Sequence, residues 1–187
     1  VMANVWTGCA ETLSRKALDY APETDTYFTI ACQKIWAKGQ PLTWPANPVG
    51  TLAGLQSRAD GRSLLVWTTE AVYILADDNG SWNVQQTLQP GLKNDPLVLV
   101  RWNQKQTQAL LASKNGRLFL ARLADGQLLE IRLPKGRPFN LDDMRFQESS
   151  HRISLLAPEG VVEFPDSVEA ITQDLCSPSE RIPSCVD

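Results

Sequence analysis

Along the middle of this chain, apolar runs rich in Leu, Val and Trp are cut repeatedly by dipeptides suited to chain reversal. Asp60-Gly61, Asn79-Gly80, Asn115-Gly116 and Asp125-Gly126 are four such cuts, and Glu159-Gly160 fits the same scheme. Asn and Asp tolerate left-handed backbone and Gly adopts it freely, so each dipeptide can close a tight hairpin between two strands. A chain punctuated in this way folds mainly as short antiparallel strands.

The cuts recur at a near-constant interval. One unit runs from Thr51 to Leu88, with strand-type segments Thr51–Ser57, Ser63–Thr68, Val72–Leu75 and Trp82–Leu88. The next has Leu97–Asn103, Gln108–Ser113, Arg117–Leu123 and Gln127–Leu133, and a third has Leu141–Gln147, Arg152–Leu156 and Val161–Phe164. Trp102 precedes Gly116 by fourteen residues and Phe146 precedes Gly160 by the same fourteen, which sets these units 44 positions apart. A looser match of Ala71 to Gly116 gives 45 for the unit before. Four short strands in roughly 40–45 residues is the period of a propeller blade.

A weaker first unit occupies residues 10–45. Leu13–Tyr20 reads either as its first strand or as two turns of helix, because Leu13, Ala17 and Leu18 fall at helical spacing. Pro22–Asp25 is a turn, and Tyr27–Ala31, Gln33–Ala37 and Leu42–Trp44 complete the unit. The expected fold is therefore all-β: antiparallel four-stranded repeats at 51–90, 95–134 and 138–172 after the weak first one, in a single domain over 1–187 with a Pro- and Cys-rich tail at 173–187.

In repeat spacing and turn placement the chain resembles WD40-like β-propeller proteins, well from Thr51 to Thr172 and poorly from Leu13 to Trp44. It departs from true WD40 repeats in lacking their Gly-His and Trp-Asp signatures. The resemblance implies a non-catalytic platform that binds another protein. Four units would fit a small four-bladed ring, with Asn4–Trp6 as the outermost strand of the last blade beside Val168–Thr172, an arrangement that removes open sheet edges. A fragment of a larger propeller, a curved antiparallel sheet and a sandwich are the alternatives.

Composition narrows the function classes. With 187 residues, 43% of them hydrophobic, the chain can bury a substantial core. A net charge of −3 and scattered Lys and Arg offer no basic stripe for phosphates, so nucleic acid is not the expected partner. No apolar run is long enough to span a bilayer, so no membrane insertion is expected, and Val1–Asn4 does not open a basic-then-apolar export signal. Such a signal was either never present or removed earlier.

Cys9 and Cys32 lie near the start, and Cys176 and Cys185 near the end. Even number and terminal placement point to disulfides and to a periplasmic or secreted protein, with four free thiols in a cytoplasm as the alternative. Cys176 could close on Cys185 across the tail, or a first-unit cysteine could bond to a last-unit one. Without Cys-x-x-Cys, and with His151 as the single histidine, no zinc site or other metal or cofactor is expected.

Catalytic constellations are missing from the sequence. It holds no Gly-x-Ser-x-Gly elbow and no Gly-rich phosphate loop. His151 stands in a turn, and nothing recommends pairing it with Cys32 as a nucleophile. Asp77-Asp78-Asn79-Gly80 is oxygen-rich but lacks the ligand spacing of a calcium loop. Ala76–Trp82 loosely resembles the aspartate box of sialidase-type propellers, with Ala76 in place of a hydroxyl residue and Trp82 one position early. That resemblance carries over a turn and not an activity. Asp142, Asp143 and Glu159 read as turn residues.

Six tryptophans remain. Trp67 and Trp102 occupy strand positions and read as core. Trp36, Trp44 and Trp82 are the candidate partner-binding anchors, Trp44 being flanked by Pro41, Pro45 and Pro48, because rigid aromatic surface is what binding hot spots use. Trp6 shares the irregular first quarter with Trp36 and Trp44. Three functions follow: a protein-binding module within a larger assembly, an exported disulfide-stabilised inhibitor or immunity-type protein, or a degenerate propeller glycan hydrolase.

Overall fold

The computed structural model describes residues 15–43, 48–131, 140–157, 160–167 and 170–171. Its strands form four antiparallel sheets, each of strands consecutive in the chain. The first contains β1 (Leu18–Ala21), β2 (Thr26–Ala31), β3 (Lys34–Ala37) and β4 (Gln40–Pro41). The second contains β5 (Leu52–Ser57), β6 (Ser63–Thr68), β7 (Val72–Asp78) and β8 (Ser81–Leu88). The third contains β9 (Leu97–Trp102), β10 (Gln108–Ser113), β11 (Leu118–Arg122) and β12 (Gln127–Ile131). The fourth has β13 (Asn140–Gln147), β14 (Arg152–Ala157) and β15 (Gly160–Pro165).

The turn dipeptides do what their chemistry dictates. Asn79 and Gly80 both take positive φ, 53° and 90°, and Asp78 pairs directly with Ser81 across them, the geometry of a two-residue type I′ hairpin. Asp77 Oδ1 accepts the Gly80 N–H at 2.7 Å, so the acidic pair next to this turn caps its own backbone. Gly61, Gly116 and Gly126 are left-handed as well.

Two other I′ hairpins lack such a signal. Cys32 and Gln33 (φ 50° and 56°) join β2 to β3, and Lys38 and Gly39 (φ 49° and 76°) join β3 to β4. Leu13–Tyr20 resolves into a 3-10 turn at Arg15–Ala17 followed directly by β1. Ala170 and Ile171, where extended backbone is expected, are helical. There Ser167 Oγ accepts the Ala170 N–H at 3.0 Å and the Ser167 carbonyl accepts the Ile171 N–H at 3.0 Å, the action of a serine N-cap. Asn4–Trp6 lies outside the described residues.

The chain divides into two compact units: Val1–Val100 with Ser113–Asn115, and Arg101–Ala112 with Gly116–Asp187. In the first, Phe28, Ile30 and Ile35 of the first sheet pack on Leu55, Leu64, Val66 and Leu75 of the second. Leu64 through Thr68, all of β6 after its first residue, are fully buried, so the second sheet is covered on both faces. Such two-sided burial explains why β6 reads as a continuous apolar run instead of an alternating one. Each buried Leu or Val contributes roughly 1.5–3 kcal/mol relative to exposure. Asp19 ties the first sheet to the second, its Oδ2 accepting both the backbone N–H and the hydroxyl of Ser57.

In the second unit, Leu110, Leu111, Leu118 and Leu120 are fully buried. Asn103 builds the β9–β10 turn with its side chain: Oδ1 accepts the N–H groups of Thr107 and Gln108, and Nδ2 donates to Thr107 Oγ1. In the fourth sheet Ile153 and Leu155 are buried on one face.

Candidate protein-interaction surface

Two of the blades fasten the loop before their first strand to the end of their second. In the second sheet, Thr68 Oγ1 donates to the Val49 carbonyl and accepts the Glu70 and Ala71 N–H groups, while Thr69 Oγ1 accepts the Thr51 N–H. At the third sheet, Asp95 takes the corresponding part. Its Oδ2 accepts the Ser113 hydroxyl at 2.7 Å and its Oδ1 the Asn115 N–H at 2.9 Å. Asp95 is 6% exposed, and a buried carboxylate is tolerable because both oxygens are hydrogen-bonded.

Between these fastenings lies an open depression of about 420 Å³, lined by Thr69, Glu70, Leu92, Lys93, Asn94, Asp95 and Pro96. The buried Leu92 side chain and Pro96 supply apolar floor, and Glu70, Lys93 and Asn94 stand exposed around it. Asn94 is held at φ 57°. The Thr69 carbonyl accepts the Leu97 N–H at 2.9 Å, so both walls are fixed to one strand start. An apolar floor with a few convergent polar groups of both signs suits a polar side chain or a short peptide stretch.

One of the candidate anchor tryptophans is placed otherwise than expected. Trp82 is core, not partner surface: it is 9% exposed and meets the Phe28 ring edge-on, centroids 5.9 Å apart. It is the second residue of β8, just after a turn, and the alternation of that strand turns it inward. Trp36 is half-buried on the first sheet, with Nε1 donating to the Ala31 carbonyl at 3.1 Å. Trp44 and Trp6 lie outside the described residues. Trp67 and Trp102 are buried.

Cys32 occupies an exposed hairpin tip and is disulfide-bonded, so its sulfur is not available as a thiolate nucleophile. Cys9, Cys176 and Cys185 lie outside the described residues. His151 sits exposed at φ 52° in the β13–β14 turn, its Nδ1 3.6 Å from Asp166 Oδ2. Among the described residues no group of three or more His, Cys, Asp or Glu is placed to hold a metal. Also among these, no helix is long and apolar enough to cross a membrane.

No family model and no curated protein matches this sequence. Solved structures do match in fold. The β-propeller domain of Cps50 (Swd1) from Myceliophteria thermophila aligns with a TM-score of 0.62 at 13% identity, over 79% of this chain and 49% of its own. KlAtg21, in a complex with the coiled coil of AgAtg16, aligns at 0.59 and 10% identity, over 78% and 50%. The C-terminal WD40 domain of Sif2 aligns at 0.58 and 16% identity, over 82% and 44%. The chain thus spans about half the length of these structures. Four consecutive antiparallel sheets, matched to such domains, give this chain the fold of a partial, WD40-like β-propeller.

Proposed function

We propose that this chain is a non-catalytic protein-binding module within a larger assembly, and that the depression at Glu70, Lys93 and Asn94 receives part of its partner. The observation that carries this reading is the depression itself: uncommitted polar side chains around an apolar floor, set on loops that a hydrogen-bonded scaffold holds still. The similarity to WD40 propellers, one of them complexed with a coiled coil, supports it by analogy of fold alone. The exported-inhibitor and glycan-hydrolase readings draw no support from that similarity. A disulfide at Cys32 favours an oxidising compartment, periplasmic or extracellular, as the working location.

Photo-crosslinking in source cells tests the binding role. A photoreactive residue at position 93 is expected to give a discrete adduct with another protein. The double charge reversal Glu70→Lys, Lys93→Glu should abolish it. A probe at exposed Asn83, on the outer strand β8, serves as control. Equal labelling from positions 83 and 93, or an adduct indifferent to the charge reversal, would overturn the assignment.

A further inference from the structure

The two faces of the first sheet differ in what covers them. Strand register puts Ala21, Phe28, Ile30 and Ile35 on the face buried against the second sheet. The opposite face carries Leu18, Tyr20, Tyr27 and Trp36. Leu18, Tyr20 and Tyr27 are 46%, 40% and 49% exposed, although all three are large and apolar in body. They are also neighbours. Tyr20 pairs directly with Tyr27, ring centroids 4.5 Å apart, and Leu18 precedes Tyr20 by two residues on the same face of β1.

Single exposed apolar side chains are ordinary, but a contiguous aromatic and aliphatic patch on one sheet face marks a contact surface. The second sheet shows what such a face looks like once covered: Leu65 and Trp67, facing away from the first sheet, are fully buried. In the other unit, Leu156 and Val161 pair directly on one face of the fourth sheet, 42% and 61% exposed, while Ile153 and Leu155 fill its other face.

We infer that the open face of the first sheet docks the Leu156–Val161 face of a second copy of this chain, head to tail. Two observations favour a second copy as the occupant. Each chain offers both halves of the contact, an aromatic patch and an aliphatic pair. Sheet-on-sheet packing is the mode the first sheet already uses on its other side. The surface is separate from the Glu70–Lys93 depression, so it stands whether or not that depression binds a partner. Only a few exposed apolar side chains stand on each side of the contact, so association is expected near the micromolar range.

Sedimentation velocity on the 187-residue chain, from about 1 to 100 µM, tests this. The mean mass should rise with concentration. Tyr27→Asp and Val161→Asp each place a charge at one half of the contact and should each weaken self-association by tenfold or more. Both positions are exposed, so the variants should keep the parent circular dichroism and melting temperature; Leu18→Asp substitutes for Tyr27→Asp if that variant melts early. Mixing the two variants should restore hetero-association, because one retains an intact first-sheet face and the other an intact fourth-sheet face. A chain monomeric at all concentrations, self-association that survives both substitutions, or a mixture that stays monomeric would each overturn the inference.

Discussion

The indole of Trp67 lies where a side chain at Gly54 would begin. A Cβ built on Gly54 would stand 2.0 Å from Trp67 Cζ2, with two more ring carbons or bonded atoms at 2.5 Å. The two residues are directly paired across β5 and β6, and the Trp67 ring is fully buried, so neither backbone nor ring has room to retreat. Gly54→Ala should therefore destabilise by about 1–3 kcal/mol through overpacking. Trp67→Leu should cost more alone, yet the two together should cost less than their sum, because the smaller side chain makes room for the methyl group. Urea denaturation of the double-mutant cycle measures this coupling.

Asp95 accepts hydrogen bonds from Ser113 and Asn115 in a nearly sealed position. Replacing it with Ala removes both of these hydrogen bonds and should cost about 1–3 kcal/mol. Asn keeps an oxygen for the Asn115 N–H and can donate to Ser113 Oγ, so Asp95→Asn should cost less than Asp95→Ala. Denaturant midpoints of the two variants give the order.

Gln33 holds a left-handed backbone at a hairpin tip while its Oε1 accepts the N–H of buried Leu52 at 2.9 Å. Gln33→Gly relaxes the turn but loses that hydrogen bond, whereas Gln33→Ala loses the bond and keeps the strain. Ala should thus be the worse substitution, by about 1 kcal/mol, in thermal unfolding of the oxidised protein.

Arg122 grips Asp125 through Nη2 at 2.6 Å, and the Gln127 N–H adds a backbone bond at 3.1 Å. The guanidinium hydrogen bond, and then the backbone one, hold the Asp125 carboxyl below its ordinary value. A carboxylate whose folded pKa is depressed contributes stability above its unfolded pKa, and loses it as pH falls through the folded value. Because the pair is exposed, the effect on global stability should be slight. The Asp125 carboxyl carbon should titrate by NMR below an ordinary aspartate, and Arg122→Ala should move its midpoint upward.

Much of the strand pattern was legible because turns are local. Asn79-Gly80 carries its conformation in its own dihedral preferences, and β7 and β8 meet there without help from distant residues. The β9–β10 turn, Asn103–Thr107, was less legible: no glycine marks it, and Asn103 reverses the chain by lending its side chain as hydrogen-bond partner. Cys32-Gln33 was hidden for a related reason. Neither residue favours left-handed backbone, and the geometry is sustained by the pairing of Ala31 with Lys34 and the bond from Leu52 to Gln33. The depression at Glu70 and Lys93 had no sequence signal, because residues of one blade's turn and of the following loop meet only after the sheets form.

The sequence by itself determined where most strands of the second and third sheets start and stop, and that strands recur in antiparallel sets of about 40–45 residues. Turn dihedrals and hydrogen-bonded hairpins are short-range, so glycine and asparagine spacing suffices to set them. Only the tertiary structure decided which apolar faces are covered. Leu65 on β6 and Tyr27 on β2 both stand in apolar strand segments, yet Leu65 is fully buried and Tyr27 is 49% exposed. The same arithmetic turned Trp82 from surface anchor into core. Burial depends on what lies about 10 Å across from a sheet face, and that neighbour is a distant part of the chain or another chain altogether.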